Sequence, residues 1–324
     1  SDGRDVMLDG REKAPLNADR DMYLDDEGNV VQGLSINGPL AAGIPGTPAA
    51  LEHLAKHYGS RPLADLLQPA IKLARDGFPA DDEYRRYLGF RAKAMQAYPA
   101  ASKIFLRDGE VPDADTLIVQ SDLANTLQKM ADRGSAGFYS GELATKLVEG
   151  VRQAGGIWTL DDLAQYQVVE REPVTFEWQG MRVVSVGPPS SGGIAMATIL
   201  NQLESKKLAE MPEVERIHWL TEAMRRAYRD RAEFLGDEDF VAVPKARLLN
   251  KDYAAGLRRS IRADRATPSA SLAPTQSNIG GGNNTTHFSV VDSDGNRVAA
   301  TMSINYPFGS CFVAPGTGVL LNDE

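Results

Sequence analysis

A glycine run that leads directly into an alternating strand pattern is the feature that most constrains the fold of this sequence. Residues 280–282 are all glycine, and Asn283 and Asn284 follow them before Thr285 opens a pattern that continues to Asp292. Glycine permits backbone conformations that other residues avoid, whereas alternation is typical of a strand with two different faces. A distortable loop beside a strand that holds the Thr285 hydroxyl is the arrangement a self-cleaving nucleophile needs.

Cleavage of the Asn284–Thr285 peptide bond would give Thr285 both an attacking oxygen and an α-amine that can act as its base. Three other interpretations stay open from these residues alone. Asn283 and Asn284 each begin an N-glycosylation pattern, and a glycine run can cradle phosphate, although no Gly-Lys-Ser/Thr follows it here. An ordinary polar loop before a hairpin strand explains the same residues equally well. The rest of the chain has to decide.

Composition excludes several classes of protein. The 324 residues are 42% hydrophobic, enough for the core of one large domain or two small ones. No long apolar run is present, which argues against a membrane span. The net charge of −9, with dispersed Lys and Arg, argues against nucleic acid as a partner. The single cysteine, Cys311, cannot form an internal disulfide. We predict no metal and no cofactor. Because the chain starts with Ser1 and shows no signal peptide, we expect that its natural N-terminus lies upstream.

The histidines give little support to conventional hydrolase or metal chemistry. His53 and His57 have the spacing of a helical metal pair, but Lys56 lies between them and the general-base Glu of a zincin helix is absent. We therefore predict that they lie on a solvated helix face. No Gly-x-Ser-x-Gly motif marks a serine nucleophile. Strand alternation places His287 on the same face as Thr285, and we predict a structural role for it.

Periodicity predicts a helical first half of the chain. Thr47 is expected to cap one helix, Ser121 another and Thr159 a third, and Pro69 is expected to divide its segment into two helices. Three of the predicted helical segments are 49–58, 63–75 and 141–153. A fourth begins at its cap Ser121 and stops at Gly134, and a short fifth segment begins at its cap Thr159 and ends at Tyr166.

The second half alternates between strands and helices. It is predicted to contain a hairpin, two long helices, a linker, a second hairpin around the turn Ser293–Asn296, and a last strand. In the same order these segments are 174–178 with 182–186, 194–204 and 214–235, 267–284, 286–291 with 297–304, and 313–321.

Several motifs in one order resemble those of the γ-glutamyltranspeptidases, N-terminal-nucleophile (Ntn) hydrolases in which the first Thr of a TTHxS run is the nucleophile. That run corresponds to residues 285–289. The likeness extends through essentially the whole chain. Its other motifs are Asp9–Pro15, Pro45–Pro48, Gln68–Ala70, Leu73–Phe78, Pro188–Gly193 and Asp230–Asp237.

The resemblance implies an α+β fold, the four-layer αββα sandwich of Ntn hydrolases. Residues 1–284 would belong to the large subunit and 285–324 to the start of the small subunit. The family continues beyond the position of Glu324 with further ligand and oxyanion-hole motifs, and a Gly-rich segment is expected before Ser1. We therefore expect that the chain is an internal part of a longer enzyme.

The resemblance also assigns roles to single residues. Arg11 falls on the arginine that binds the substrate α-carboxylate, Glu324 on the residue that binds the α-ammonium, and Asn305 on a substrate-contacting Asn. Ser303 replaces a Thr that hydrogen-bonds the nucleophile Thr285, and it keeps the hydroxyl group. From the sequence alone, a surface ion pair of Arg11 with a neighbouring carboxylate would be the simpler interpretation.

The activity implied is that of a γ-glutamyltranspeptidase or glutathione hydrolase. Glutathione and other γ-glutamyl compounds would be substrates, and water or amino acid and peptide acceptors would receive the γ-glutamyl group. The resemblance further implies a heterodimer of large and small subunits after cleavage, and a periplasmic or secreted location. The alternatives are a related acylase acting on glutaryl amides such as cephalosporin side chains, and a non-catalytic paralogue that only binds ligands.

Overall fold

The computed structural model describes residues 3–272 and 285–324. Asn284, the first residue of the predicted cleavage site, and the glycine run before it lie outside this range. The chain divides into two compact units. The first contains Asp9–Val169 and residues 285–324, and the second contains residues 3–8 and 170–272. The predicted division into subunits at Thr285 concerns the site of peptide-bond cleavage and not the compact units of the fold. It stays a prediction.

Helices account for most of the regular structure, as the periodicity predicts. In chain order they are α1 (Thr47–His57), α2 (Leu63–Asp76), α3 (Asp82–Met95), α4 (Pro99–Phe105), α5 (Ser121–Arg133), α6 (Ala136–Tyr139), α7 (Gly141–Gln153), α8 (Leu160–Ala164), α9 (Gly192–Leu203), α10 (Glu213–Phe234), α11 (Lys245–Leu248) and α12 (Lys251–Arg259). Short 3₁₀ turns lie at Pro39–Ala41, Leu208–Glu210 and Ser269–Leu272.

The strands form two-stranded sheets. They are β1 (Met7–Asp9), β2 (Phe78–Pro79), β3 (Leu117–Ile118), β4 (Val169–Arg171), β5 (Val174–Trp178), β6 (Met181–Ser185), β7 (Thr286–Val291) and β8 (Arg297–Met302). The pairs are β1 with β4, β2 with β3, β5 with β6, and β7 with β8. Both predicted hairpins are confirmed. The register of β7 and β8 pairs Thr286 with Met302 and Val291 with Arg297.

The core of the first unit is built by the helices together with the C-terminal segment, residues 310–323. Phe312 packs into the cluster around α5, α7 and Trp158, and its ring contacts that of Tyr98 edge-on. Cys311 and Val313 enter a second cluster with Leu88 and other side chains of α3 and α4. Because neighbouring residues enter different clusters, the C-terminal segment is fixed on two sides.

The second unit packs α9 against α10 and against the β5–β6 hairpin. Inside it, Glu222 and Arg226 are almost fully buried and form an ion pair of 2.7 Å. Glu222 also accepts the backbone N–H of Thr267 at 3.1 Å. Burial raises the pKa of Glu222, but hydrogen bonds from Thr267, Arg226 and Arg225 outweigh it and bring the pKa to about 2.

Three local predictions were wrong. α1 begins at Thr47 with Gly46 as N-cap, and α5 begins at Ser121 with Gln120 as N-cap, so neither hydroxyl residue caps its helix. Pro69 lies inside the unbroken helix α2. Pro69 is exposed, and so is Asp65, whose carbonyl loses its helical partner. The capping box predicted at Thr159 is confirmed.

The predicted strand 313–321 is also wrong. Within the described residues this segment has only an isolated bridge between Val313 and Leu320. Gly316 and Gly318 between them have positive φ angles, and Thr317 donates its hydroxyl to the carbonyl of Ala314 at 2.7 Å. The segment therefore folds back on itself instead of running straight.

No helix in the described part of the chain is both long and apolar enough to cross a membrane. His53 and His57 lie on α1 with ring centroids 4.4 Å apart. Across residues 3–272 and 285–324, no cluster of His, Cys, Asp or Glu side chains has the arrangement of a metal site.

Candidate active site

Thr285 lies at the first position before β7, opposite Ser303 at the end of β8. The register of the hairpin produces this opposition, because Thr286 pairs with Met302 one step further along. The Thr285 hydroxyl donates a hydrogen bond to Ser303 Oγ at 3.3 Å. Both residues are exposed in the part of the chain that the structure describes.

Ser303 links the nucleophile position to Asn305. The backbone N–H of Asn305 donates to Ser303 Oγ at 2.9 Å, and Asn305 adopts a φ angle of 66°. Asn is among the non-glycine residues that tolerate this left-handed conformation best. The Asn305 side chain donates to the carbonyl oxygen of Asp323 at 3.0 Å. Asn305 therefore connects the end of the hairpin to the C-terminal segment.

The loop between Asn305 and the core is held by a buried arginine. Arg91 on α3 donates through Nε to the Pro307 carbonyl at 3.1 Å and through Nη2 to the Gly309 carbonyl at 2.6 Å. Gly309 has a φ angle of 47°, and a Cβ there would lie 2.2 Å from the Leu321 carbonyl oxygen. These contacts fix the turn on which Asn305 depends.

Asp323 is a buried carboxylate beside the exposed site. Its Oδ1 accepts the backbone N–H of Tyr306 at 3.0 Å, whereas Oδ2 is buried without a hydrogen-bond partner among the described residues. Burial raises the pKa of Asp323 to about 7, against the lowering effects of the Tyr306 N–H and of Arg91. Burial and the nearby charge of Glu12 likewise raise the pKa of Glu324, and Arg11 opposes this.

Arg11 and Glu324 lie at opposite ends of the sequence and meet in the first unit. Arg11 Nη2 is 3.8 Å from Glu324 Oε2 and 3.4 Å from Glu12 Oε1, so both the predicted site partner and the predicted surface partner are in contact with it. The Arg11 side chain is 49% exposed and that of Glu324 is 24% exposed. A guanidinium and a carboxylate at this spacing, both reachable from solvent, suit a ligand that carries one charge of each sign.

The backbone at Arg11 is fixed although its side chain is open. The Tyr166 hydroxyl donates to the Arg11 carbonyl at 2.6 Å, and the Arg11 N–H donates to Asp9 Oδ1 at 3.1 Å. A Cβ at Gly46 would lie 2.0 Å from the Tyr166 hydroxyl oxygen. Position 46 is therefore limited to glycine while Tyr166 holds Arg11.

The structure thus brings together five of the predicted site residues. A path of hydrogen bonds runs from Thr285 through Ser303 and Asn305 to the backbone of Asp323, and Glu324 follows with its contact to Arg11. The sixth, Asn284, lies outside the described residues. His287 is held by the hairpin itself, since Nδ1 lies 2.8 Å from Thr301 Oγ1 and Nε2 lies 3.5 Å from Ser289 Oγ.

Sequence reasoning missed the side chains that fix the backbone around the predicted site residues. Asn322 and Asp323 stand in a polar pair directly after an apolar run, which is a weak sign that the chain leaves the core there. Tyr166 and Arg91 carry no local signal at all. Their role depends on which backbone carbonyls the fold brings to them.

Comparison with known proteins shows which family the chain resembles over its whole length. The family model for gamma-glutamyltranspeptidase matches residues 1–324. A glutathione hydrolase proenzyme of Pseudomonas sp. (strain A14) is 44% identical over 100% of this chain and 57% of its own length. The chain therefore spans little more than half of that relative.

Two solved structures extend the comparison to the fold. The gamma-glutamyltranspeptidase of Helicobacter pylori has a TM-score of 0.82 and 40% identity over 88% of this chain and 82% of its own. The cephalosporin acylase of Bacillus halodurans has a TM-score of 0.81 and 26% identity over 100% of this chain and 59% of its own. The α+β Ntn-hydrolase fold that the sequence predicts is confirmed by these neighbours.

Proposed function

Because this chain belongs to the gamma-glutamyltranspeptidase family, we propose that the protein hydrolyses glutathione and related γ-glutamyl compounds, with Thr285 as its nucleophile. The observation that supports this best is the placement of Arg11 3.8 Å from Glu324, in the same compact unit as the Thr285–Ser303 pair. A γ-glutamyl group presents an α-carboxylate to the first and an α-ammonium to the second.

The protein first cleaves itself. The Thr285 hydroxyl attacks the carbonyl carbon of Asn284, the peptide nitrogen leaves as the α-amine of Thr285, and an ester joins the two residues. Water opens the ester, which leaves a carboxylate on Asn284 and a free amine on Thr285. The hydrogen bond from Thr285 Oγ1 to Ser303 supports this step, because it orients the hydroxyl at the start of the strand.

The mature protein then uses the same hydroxyl on its substrate. The α-amine of Thr285 accepts the hydroxyl proton while the oxygen attacks the γ-carbonyl carbon, and the proton passes to the departing amine. The γ-glutamyl ester is released by water or by the amino group of an amino acid or peptide acceptor. After cleavage the residues up to 284 and those from 285 form the two subunits of a heterodimer.

Substrate recognition rests on two charges held at a fixed spacing. The planar fork of Arg11 suits bidentate binding of the α-carboxylate, and Glu324 accepts the α-ammonium. In the free protein these two groups contact each other. The substrate replaces that contact with one partner for each, so neither charge is left unpaired when the site fills. Asn305 lies between them and Thr285 as a further substrate contact. We propose a location in the periplasm or outside the cell, which the family resemblance supports.

A related glutaryl acylase is the second candidate, favoured by the likeness to the Bacillus halodurans cephalosporin acylase. A glutaryl group lacks the α-ammonium, so Glu324 would have no charge to bind. This difference separates the two activities. A non-catalytic paralogue would turn over neither kind of substrate.

The test is to assay the full-length protein with a γ-glutamyl anilide and with its glutaryl counterpart. We expect kcat/KM to favour the γ-glutamyl compound by about tenfold or more, the size of one charged hydrogen-bonded contact. Equal turnover, or a preference for the glutaryl compound, would establish the acylase instead. Absence of turnover with both would leave only the binding protein.

A further inference from the structure

The buried side chain of Asn322 makes the pair of hydrogen bonds to one backbone residue that a neighbouring strand would make. Its Oδ1 accepts the backbone N–H of Gly43 at 2.9 Å, and its Nδ2 donates to the carbonyl of the same residue, also at 2.9 Å. Asn322 is only 7% exposed. The amide group satisfies both polar groups of one peptide residue 279 positions away. A carboxylate of similar size could only accept the Gly43 N–H, and an aliphatic side chain could make neither bond.

Gly43 lies next to a residue that is hydrogen-bonded to the loop that carries Arg11. The next residue, Ile44, donates its N–H to the Lys13 carbonyl at 2.7 Å and accepts the Lys13 N–H at 3.1 Å. Gly43 also approaches Glu12 closely, because a Cβ at position 43 would lie 3.1 Å from Glu12 Cγ. The segment Gly43–Ile44 therefore holds the backbone of Lys13 by hydrogen bonds and packs against the side chain of Glu12, the two residues that follow Arg11.

Asn322 contacts Glu324 directly. The backbone N–H of Glu324 donates to Asn322 Oδ1 at 3.3 Å, so this single oxygen accepts from both Gly43 and Glu324. It is the point where the backbone that leads to Arg11 and the backbone that carries Glu324 are joined. Tyr166 holds the Arg11 carbonyl through a separate hydrogen bond.

We propose that Asn322 is a positioning residue that sets the distance between the Arg11 guanidinium and the Glu324 carboxylate, and thereby selects ligands with an α-carboxylate and an α-ammonium on one carbon. The proposal rests on the proposed function. The two charges of an α-amino acid are held by one carbon atom, so their counter-charges must be held at a matching distance. Loss of one charged hydrogen-bonded contact through misplacement lowers affinity by about 10- to 100-fold.

Loss of positioning differs from a general loss of structure in its effect on two ligands. L-Glutamate carries both α-charges and needs both Arg11 and Glu324 in place. Glutarate lacks the ammonium, so it depends on Arg11 and is indifferent to where Glu324 lies. A variant that only loosens the fold weakens binding of both, whereas a variant that shifts Glu324 relative to Arg11 weakens glutamate selectively.

The experiment measures inhibition constants of L-glutamate and glutarate against hydrolysis of a γ-glutamyl anilide. The full-length wild type is compared with Asn322→Ala and Asn322→Asp, with rates expressed per processed molecule. Asn250→Ala is the matched control, because Asn250 also holds backbone N–H groups but does so at the N-cap of α12 in the second unit. Thermal unfolding of each variant shows how much stability was lost.

We expect the inhibition constant of L-glutamate to rise about 10- to 100-fold in Asn322→Ala, as for the loss of one charged hydrogen-bonded contact, whereas that of glutarate changes less than about threefold. Asn322→Asp keeps the shared acceptor oxygen and should lie between Asn322→Ala and the wild type. It also serves if Asn322→Ala does not fold. Asn250→Ala should change neither constant. Equal changes for the two ligands, or none, in the Asn322 variant that folds would overturn the proposal. A wild type without γ-glutamyl turnover would instead overturn the proposed function.

Discussion

Two segments follow Thr285, the β7–β8 hairpin and the C-terminal segment 310–323, and they differ sharply in how much of them is buried. Every side chain of β7 is exposed, and β8 has only Ala300 partly covered. The C-terminal segment 310–323 contains most of the buried residues of this region, among them Phe312 and Leu321. Thr285 and Ser303 flank the β7–β8 hairpin, and Glu324 directly follows the C-terminal segment. In the described residues, the proposed reacting half of the site, Thr285 and Ser303, depends on hairpin hydrogen bonds, and the proposed recognition half, Arg11 and Glu324, depends on the core.

The difference teaches that the two halves of the site have separate physical origins. The spacing of the recognition charges follows from packing that involves α3, Gly43 and Tyr166, far from Thr285 in sequence. The position of the Thr285 hydroxyl follows from the register of β7 and β8 and from its hydrogen bond to Ser303. Substitutions in the two segments should therefore differ in what they damage.

The largest effect is expected from substitutions that test this difference in packing. Phe312→Ala removes a side chain that is 4% exposed and should reduce the free energy of unfolding by about 3–5 kcal/mol. In the 324-residue chain, Phe288→Ala removes one that is 44% exposed and should cost about 1 kcal/mol or less. Denaturant unfolding of the two variants measures both values. Similar losses would show that the hairpin is as well packed as the C-terminal segment.

The recognition half is tested by Arg11. Arg11→Ala removes the charged partner of the substrate carboxylate and should lower kcat/KM for a γ-glutamyl anilide by about 100-fold. Arg11→Lys keeps the charge but loses the planar fork, so its loss should be clearly smaller. Steady-state kinetics of both variants give the comparison. If both remain close to wild type, Arg11 serves only its surface contact with Glu12.

Burial of the C-terminal segment also predicts a dependence of stability on pH. The folded protein retains a proton on Asp323 up to about pH 7, whereas the unfolded chain loses it near the model-peptide value of 3.8. This contribution is fully present below about pH 3.8 and is lost as the pH rises toward 7. At 1.36 kcal/mol per pKa unit its ceiling is roughly 4 kcal/mol. Asp323→Asn should flatten this part of the stability curve.

Urea unfolding of wild type and Asp323→Asn between pH 4.5 and 7 measures that difference. Glu222 does not mask it, because its pKa is lowered to about 2. Its contribution is present above the unfolded value of 4.5 and is lost only as the pH falls toward 2. A wild-type curve parallel to that of Asp323→Asn would show that Asp323 is ionised throughout.

The smallest effect is expected at His287 in the reacting half. The acidic limb of the pH–rate profile should report the Thr285 α-amine, whose unperturbed pKa is about 7.7–8.0. Since His287 contacts Thr301, His287→Gln should move that limb by less than about one unit. The measurement is kcat/KM from about pH 6 to 10 in both proteins. Disappearance of the limb would make His287 the base.

Sequence patterns predicted the parts of the fold that depend on local periodicity. Apolar spacing and turn signals predicted both hairpins and the helices α1, α2, α5, α7, α8, α9 and α10, whereas α3, α4, α6, α11 and α12 were not predicted. The strand 313–321 was wrong, because Gly316 and Gly318 turn a segment whose apolar content is typical of a strand. Its burial comes from contacts with distant helices, which periodicity does not record.

The site was predictable where a motif marked it and not where the fold assembles it. The resemblance placed Thr285, Arg11 and Glu324, and the structure brings the last two within 3.8 Å. Asn322 and Tyr166 could not be found in this way, because each acts on a backbone group more than a hundred residues distant. Such contacts follow from the folded chain and have no local sequence signature.

Self-cleavage at Thr285 is the central claim, and the mass of the mature protein tests it most directly. Intact-mass analysis of the full-length wild type should show two chains, the second beginning at Thr285. Thr285→Ala should remain one chain, and Thr285→Ser should cleave more slowly, because Ser lacks the methyl group that restricts χ1. Maturation of Thr285→Ala to the same two chains as wild type would contradict the account.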